Sequence, residues 1–140
     1  MREIEIKLKV PDLNTVASKL ETLGATLSKP ITQKDINFIH KDDVKWFEPL
    51  KSKWVYPRLR IQDGKPLTLT VKKPLKNESD CREHELHIDD ASELREIMDM
   101  FDYTEGVTVI KTRRTCTFQD YTITLDEVKD LGDFIEIERV

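Results

Sequence analysis

The sequence predicts an α+β chain: an eight-stranded antiparallel β-barrel with a charged interior and a few flanking helices. Three observations carry this. Eight segments alternate apolar and polar residues at the two-residue period of a strand. Their polar faces repeat charged pairs at that spacing: Glu3-x-Glu5, Arg58-x-Arg60, Glu83-x-Glu85, Lys111-x-Arg113 and Glu136-x-Glu138. Two other segments set apolar residues at helical spacing behind an aspartate suited to cap a helix.

In the first strand, Glu3, Glu5 and Lys7 share one face and Ile4, Ile6 and Leu8 the other. Pro11-Asp12 opens a helix with Asp12 as N-cap; Leu13, Val16, Ala17, Leu20 and Leu23 form its packing stripe, and Gly24 ends it. Ile31 to Ile39 alternates again, with Gln33, Asp35 and Asn37 opposite Ile36 and Phe38. A polar connection follows, roughly Lys41 to Lys53, holding Trp46 and Phe47. Loops of this length are often functional or mobile; Trp46 is expected to tuck against the body rather than cap a ligand.

Trp54 to Gln62 sets Arg58 and Arg60 against Leu59 and Ile61, and Asp63-Gly64 turns tightly into Leu67 to Lys73. There Thr68, Thr70 and Lys72 alternate with Leu67, Leu69 and Val71. A polar loop, Pro74 to Asp80, leads to a strand around Arg82 to Ile88, with Glu83, Glu85 and His87 on one face. Asp90 and Glu93 resemble a capping box for a second helix, whose apolar stripe is Leu94, Ile97, Met98 and Phe101. A Glu-x-Glu strand followed by a helix thus occurs twice, a hint of internal duplication. Val107 to Phe118 is a long strand carrying Lys111 and Arg113. Tyr121 to Val128 pairs with it as a hairpin, setting Thr122, Thr124 and Asp126 opposite Tyr121, Ile123 and Leu125. Lys129 to Gly132 turns into a last strand with Phe134, Glu136 and Glu138 on one side.

At 140 residues the chain suits one domain, residues 1–140, large enough to bury a core. A charged fraction of 36% against 38% hydrophobic must coat the surface or line a polar site. The formal charge of −4 argues against a nucleic-acid binder of the basic-patch kind, so an anionic ligand needs a local cluster of Arg and Lys. Cys81 and Cys116 lack metal-ligand spacing and read as ordinary reduced thiols. The opening is an acidic strand where a signal peptide needs a basic and then an apolar run, and no stretch is long enough to span a membrane. The cytoplasm is the expected location, with no membrane partner.

The polar faces collect Glu3, Glu5, Asp35, Glu83, Glu85, Asp126, Glu136 and Glu138 against Lys7, Arg58, Arg60, Lys72, Lys111 and Arg113. The plain alternative is a solvated sheet face laced with salt bridges. Rows of charge are costly to bury unless something pairs with them. Curling the strands into a barrel gives each row its counter-charges and leaves an apolar exterior for the helices to cover in part. Inside, Arg and Lys would grip a polyanion, Arg through bidentate contacts to phosphate oxygens. The carboxylates would hold a hard divalent cation, Mg2+ or Mn2+. A mixed lining favours a phosphate with its metal over a bare anion or a bare cation.

Glu3-x-Glu5-x-Lys7 resembles the ExExK signature of the CYTH superfamily, the triphosphate tunnel metalloenzymes. The resemblance continues in order through Gln33-x-Asp35, Arg58-x-Arg60, Lys72, Glu83-x-Glu85, Lys111-x-Arg113, Asp126 and Glu136-x-Glu138. It implies a triphosphate tunnel with one or two divalent cations. By position, Glu3, Glu5, Glu136 and Glu138 are implied metal ligands, with Asp126 a helper. Lys7, Arg58, Arg60, Lys72, Lys111 and Arg113 are implied phosphate contacts. Glu83 and Glu85 orient those bases within the substrate site or join a second metal site. The implied catalytic set is Glu3, Glu5, Lys7 and Glu136, and a homodimer is a family expectation.

Leu125-Asp126-Glu127-Val128, Leu131-Gly132-Asp133-Phe134 and Glu136-Ile137-Glu138 look most like the class IV adenylate cyclase branch. The resemblance therefore implies conversion of ATP to cyclic AMP and pyrophosphate. The alternative is a triphosphatase acting on tripolyphosphate, thiamine triphosphate or a nucleoside triphosphate. From another class comes a triphosphate-binding module without turnover; a lipocalin-like carrier fits a charged lumen poorly. Asn37-Phe38 stands where relatives often have Tyr-Phe, and the chain stops at Val140 where relatives commonly continue into helices, so a minimal member or a fragment is expected. His84-Glu85-Leu86-His87 lacks the HExxH spacing of a zinc protease, and its histidines fall on opposite faces of a strand.

Overall fold

The computed structural model describes residues 2–45 and 47–139; the side chains of Arg2 and Glu3 also lie outside that description, as does Trp46. Eight strands and two α-helices form among the described residues: β1 (Arg2–Val10), α1 (Leu13–Thr22), β2 (Ile31–His40), β3 (Tyr56–Gln62), β4 (Leu67–Asn77), β5 (Asp80–Ile88), α2 (Ala91–Met100), β6 (Tyr103–Phe118), β7 (Tyr121–Val128) and β8 (Gly132–Arg139). The strands make a closed barrel in the order β1-β5-β4-β3-β2-β6-β7-β8. This is the architecture the alternation predicts. No described helix is long and apolar enough to cross a membrane.

Contacts cluster the chain into two compact units. One comprises Met1–Glu3 with Lys34–Val109 and contains the β3-β4-β5 meander. Its antiparallel register sets Tyr56 opposite Lys72, Arg58 opposite Thr70 and Arg60 opposite Thr68. Across β4 and β5, Lys72 meets Glu83 and Thr70 meets Glu85. Because side chains alternate, all of these lie on one face. The other face is apolar: Ile36, Phe38 and Leu59 are buried together with Leu94 of α2 and Tyr103. The Asp90 carboxylate caps α2, accepting from the amides of Ser92 and Glu93. Of the expected packing stripe, Leu94 is buried and Met98 packs beside it, whereas Ile97 and the C-cap residue Phe101 are exposed.

The second unit comprises Ile4–Gln33 with Ile110–Val140. There β1 pairs with β8, β8 with β7 and β7 with β6, all antiparallel. Ala17 and Leu20 of α1 pack on Cys116, Ile123 and Leu125. Asp12 is the N-cap, accepting from the Asn14 amide, and Gly24 at φ +93° closes the helix. Leu23 stands outside this packing as the exposed C-cap.

One expected loop is mostly strand. The segment expected to loop from Pro74 to Asp80 extends β4 to Asn77 and starts β5 at Asp80. Pro74 withdraws one amide from the ladder and a register shift follows it, which is how a sheet accommodates proline. β6 likewise begins earlier, at Tyr103 rather than Val107. The connection after β2 holds a 3-10 turn at Pro49–Lys51.

Candidate active site

Cross-strand register decides which of the charged side chains meet. In the second unit, Arg113 is opposite Asp126 and Lys7 is opposite Glu136. Arg113 forks onto Asp126, with Nε 2.7 Å from Oδ1 and a terminal nitrogen 2.6 Å from Oδ2. That same nitrogen donates to Glu136 Oε2 at 3.0 Å. Lys7 Nζ lies 2.8 Å from Glu136 Oε1, and Lys111 Nζ 3.6 Å from Asp126 Oδ2. Three cations thus converge on two carboxylates.

Asp126 is 1% exposed. Burying a carboxylate that deep is costly without close, well-directed partners, and the Arg113 fork supplies them. Glu136 is less enclosed. Burial works to raise its pKa, but the charges of Arg113 and Lys7, with Lys111 beyond, outweigh it and hold the carboxyl at about 2. A depressed folded-state pKa contributes stability that is full above the ordinary carboxylate value and is lost as pH falls toward 2. Unfolding by urea should therefore show a loss of stability between about pH 5 and pH 2 that is reduced in Glu136→Gln. An unchanged pH profile would contradict the ion-pair assignment.

The first unit carries a second charged face. Arg60 forks onto Asp35 with both distances 2.8 Å. Lys72 Nζ sits 2.9 Å from Glu83 Oε2. Arg58 donates to the Thr70 hydroxyl at 3.3 Å, and Thr70 donates onward to Glu85 at 3.2 Å. The predicted residues of β3, β4 and β5 are thus brought together on one sheet face, Lys72 paired with Glu83 and Arg58 linked to Glu85 through Thr70. Asp35 joins them by holding Arg60.

The carboxylates implied as metal ligands divide in their surroundings. Glu5 and Glu138 are directly opposed across β1 and β8, an arrangement like charges tolerate best beside a cation. Hard oxygen donors of this kind fit Mg2+ or Mn2+. Asp126 has both oxygens committed to Arg113, and Glu136 has one oxygen on Lys7 and the other on Arg113, so either would exchange an ion-pair partner for a metal. The Glu3 side chain lies outside the described residues, and among those described no group of three or more His, Cys, Asp or Glu is gathered to hold a metal alone.

Sequence reasoning missed Asp43. Its carboxylate accepts from the hydroxyls of Ser52 and Tyr56, each at 2.9 Å, and from the Lys45 amide at 2.8 Å. Burial acts to raise its pKa, yet the Lys45 amide, the Tyr56 and Ser52 hydroxyls and nearby His40 together hold it below the ordinary value. The partners stand 9 and 13 residues away, spacings with no periodic signal.

A family model for the CYTH domain matches residues 1–139. Over 143 residues the chain is 33% identical to a protein of Methanocaldococcus jannaschii named "Putative adenylate cyclase", covering 99% of this chain and 77% of that one. Among solved structures, a protein of Pyrococcus horikoshii OT3 superposes with a TM-score of 0.81 at 24% identity, covering 99% of this chain and 78% of that one. A Hippeastrum protein, described as a "putative adenylyl cyclase" with a dominant triphosphatase activity, shares the fold at 18% identity. Its TM-score is 0.65, over 99% of this chain and 78% of that one.

Proposed function

Because this chain belongs to the CYTH domain family, we propose that it is a metal-dependent enzyme acting on a triphosphate, with ATP as substrate and cyclic AMP and pyrophosphate as products. The observation that carries this is the convergence of Lys7, Lys111 and Arg113 on Asp126 and Glu136. Cations anchored by carboxylates are preorganised for phosphate oxygens, and a lining of both signs suits an anion that arrives with its metal.

In this reading Lys7, Arg58, Arg60, Lys72, Lys111 and Arg113 bind phosphate oxygens. Asp35, Glu83, Glu85 and Asp126 hold those bases in place. Glu5, Glu136 and Glu138, with Glu3, hold Mg2+ or Mn2+. When bound, the ion neutralises phosphate charge and polarises the phosphorus under attack. The ATP 3′-hydroxyl attacks the α-phosphorus and gives its proton to solvent, the bond to pyrophosphate breaks, and the Arg and Lys side chains stabilise the charge that develops. In this reading residues 1–140 form one domain in the cytoplasm, as length and the acidic opening strand suggest, and a homodimer is a family expectation.

A triphosphatase uses the same grip to set water against the terminal phosphorus, and the relative from Methanocaldococcus jannaschii supports the cyclase by name alone. Turnover of ATP, thiamine triphosphate and tripolyphosphate with Mg2+ or Mn2+, resolved by phosphorus NMR, separates the two. Cyclic AMP with pyrophosphate is the expected product. Orthophosphate, with tripolyphosphate preferred, would replace the cyclase by a triphosphatase. Metal-dependent binding without turnover of any of the three would leave a binding module.

A further inference from the structure

Beside the charged face of the first unit lies a cavity of about 590 Å³ lined by Asn37, Phe38, Ile39, Tyr56, Gly106 and Val107. That volume is in the range of small-molecule pockets, and such pockets are mostly apolar with a few placed polar groups. None of the lining side chains carries a charge, unlike Arg58 and Lys72 next along the sheet face.

Its position follows from strand geometry. Asn37 and Ile39 continue the face of β2 that carries Asp35. Tyr56 continues the face of β3 that carries Arg58 and Arg60, and is directly opposite Lys72. The cavity thus begins where the row of cations ends.

Its walls are fixed in advance. The Tyr56 hydroxyl donates to Asp43 Oδ2 at 2.9 Å, which pins the ring, while Asp43 is itself held by Ser52. The Asn37 amide donates one N–H to the Val107 carbonyl at 3.0 Å. Its second N–H and its Oδ1 remain as a donor–acceptor edge. Gly106 lets backbone form part of the wall: a Cβ there would come within 3.3 Å of the Asn37 carbonyl oxygen and of Ile39 Cγ2.

We propose that this cavity holds the adenine ring of a nucleoside triphosphate whose phosphates lie on Lys72 and Arg58, an assignment that rests on the triphosphate reading above. The ring packs against Tyr56, Ile39 and Val107, as aromatic bases do on aromatic and apolar walls. The amide of Asn37 pairs with the adenine amino group and N7, the bidentate pattern by which Asn reads adenine. Inorganic tripolyphosphate leaves the cavity unused.

Calorimetric titration in EDTA, where metal-dependent turnover does not run, tests this with ATP, inosine triphosphate, thiamine triphosphate and tripolyphosphate. The wild type should bind ATP at least tenfold more tightly than the other three. Val107 is 47% exposed, so Val107→Trp can fill the cavity without disturbing a core. It should weaken ATP about tenfold or more while leaving tripolyphosphate within about twofold, which also shows that the fold is kept. Asn37→Leu should weaken ATP about tenfold and abolish its advantage over inosine triphosphate. If tripolyphosphate binds and neither variant selectively weakens ATP, or if thiamine triphosphate is the ligand that suffers, the adenine assignment is overturned. If no triphosphate binds the wild type, even with Mg2+ restored, the triphosphate reading falls and takes this one with it.

Discussion

Arg113→Leu is expected to lower the stability of the folded protein by about 3–5 kcal/mol, the cost of leaving a buried charge without its partner. Asp126 has almost no exposure and takes both arms of the Arg113 fork; Lys111 at 3.6 Å offers only a more distant charge. The same substitution takes a donor from Glu136, leaving Lys7 to hold that carboxylate. Arg113→Lys should recover part of the loss, because the charge returns but the planar fork does not. Pairing Arg113→Leu with Asp126→Leu should recover more, since the stranded charge goes as well. Urea unfolding of the metal-free proteins at neutral pH reads all three. A single Leu variant as stable as wild type would show that the fork does not hold Asp126 in solution.

Glu136→Gln should lower kcat/KM for the triphosphate by about 100- to 1000-fold while the protein stays folded, the range seen when one preorganised electrostatic group is removed. The amide matches the carboxylate in shape but carries no charge and turns one acceptor oxygen into a donor. It weakens the hold on Lys7 and Arg113, two of the cations assigned to phosphate, and removes an oxygen anion assigned to the metal. If Glu136 served the fold alone, turnover would follow the folded fraction. Full activity in the variant would remove Glu136 from the catalytic set.

The sequence went furthest where a local rule was enough. Asp12 and Asp90 read as helix caps and are caps, because capping depends on the next three residues alone. It erred where packing chooses among locally acceptable conformations. Pro74 looks like the start of a loop, yet the sheet carries on past it through a register shift. Leu23, Ile97 and Phe101 continue an apolar stripe by spacing, but among the described residues nothing packs over them and all three are exposed. The site divides in the same way. Arg58, Arg60, Lys111 and Arg113 were legible as cations of strand faces, whereas the Asp43–Ser52–Tyr56 cluster and the neutral cavity beside Tyr56 join segments with no common period.

By itself, then, the sequence determined which residues share a strand face, since alternation follows from backbone stereochemistry at each residue. That places Glu5 with Lys7, Lys111 with Arg113 and Glu136 with Glu138. Only the tertiary structure decided which acid meets which base, because register depends on the packing of whole strands. It set Arg113 against Asp126 and Lys7 against Glu136. Cover was settled at the same level. Ile4, Ile6 and Leu8 alternate as cleanly as Ile123 and Leu125, but α1 packs on the latter pair and leaves the β1 residues half exposed. A strand's pattern makes a face apolar; whether that face is buried depends on where the rest of the chain comes to lie.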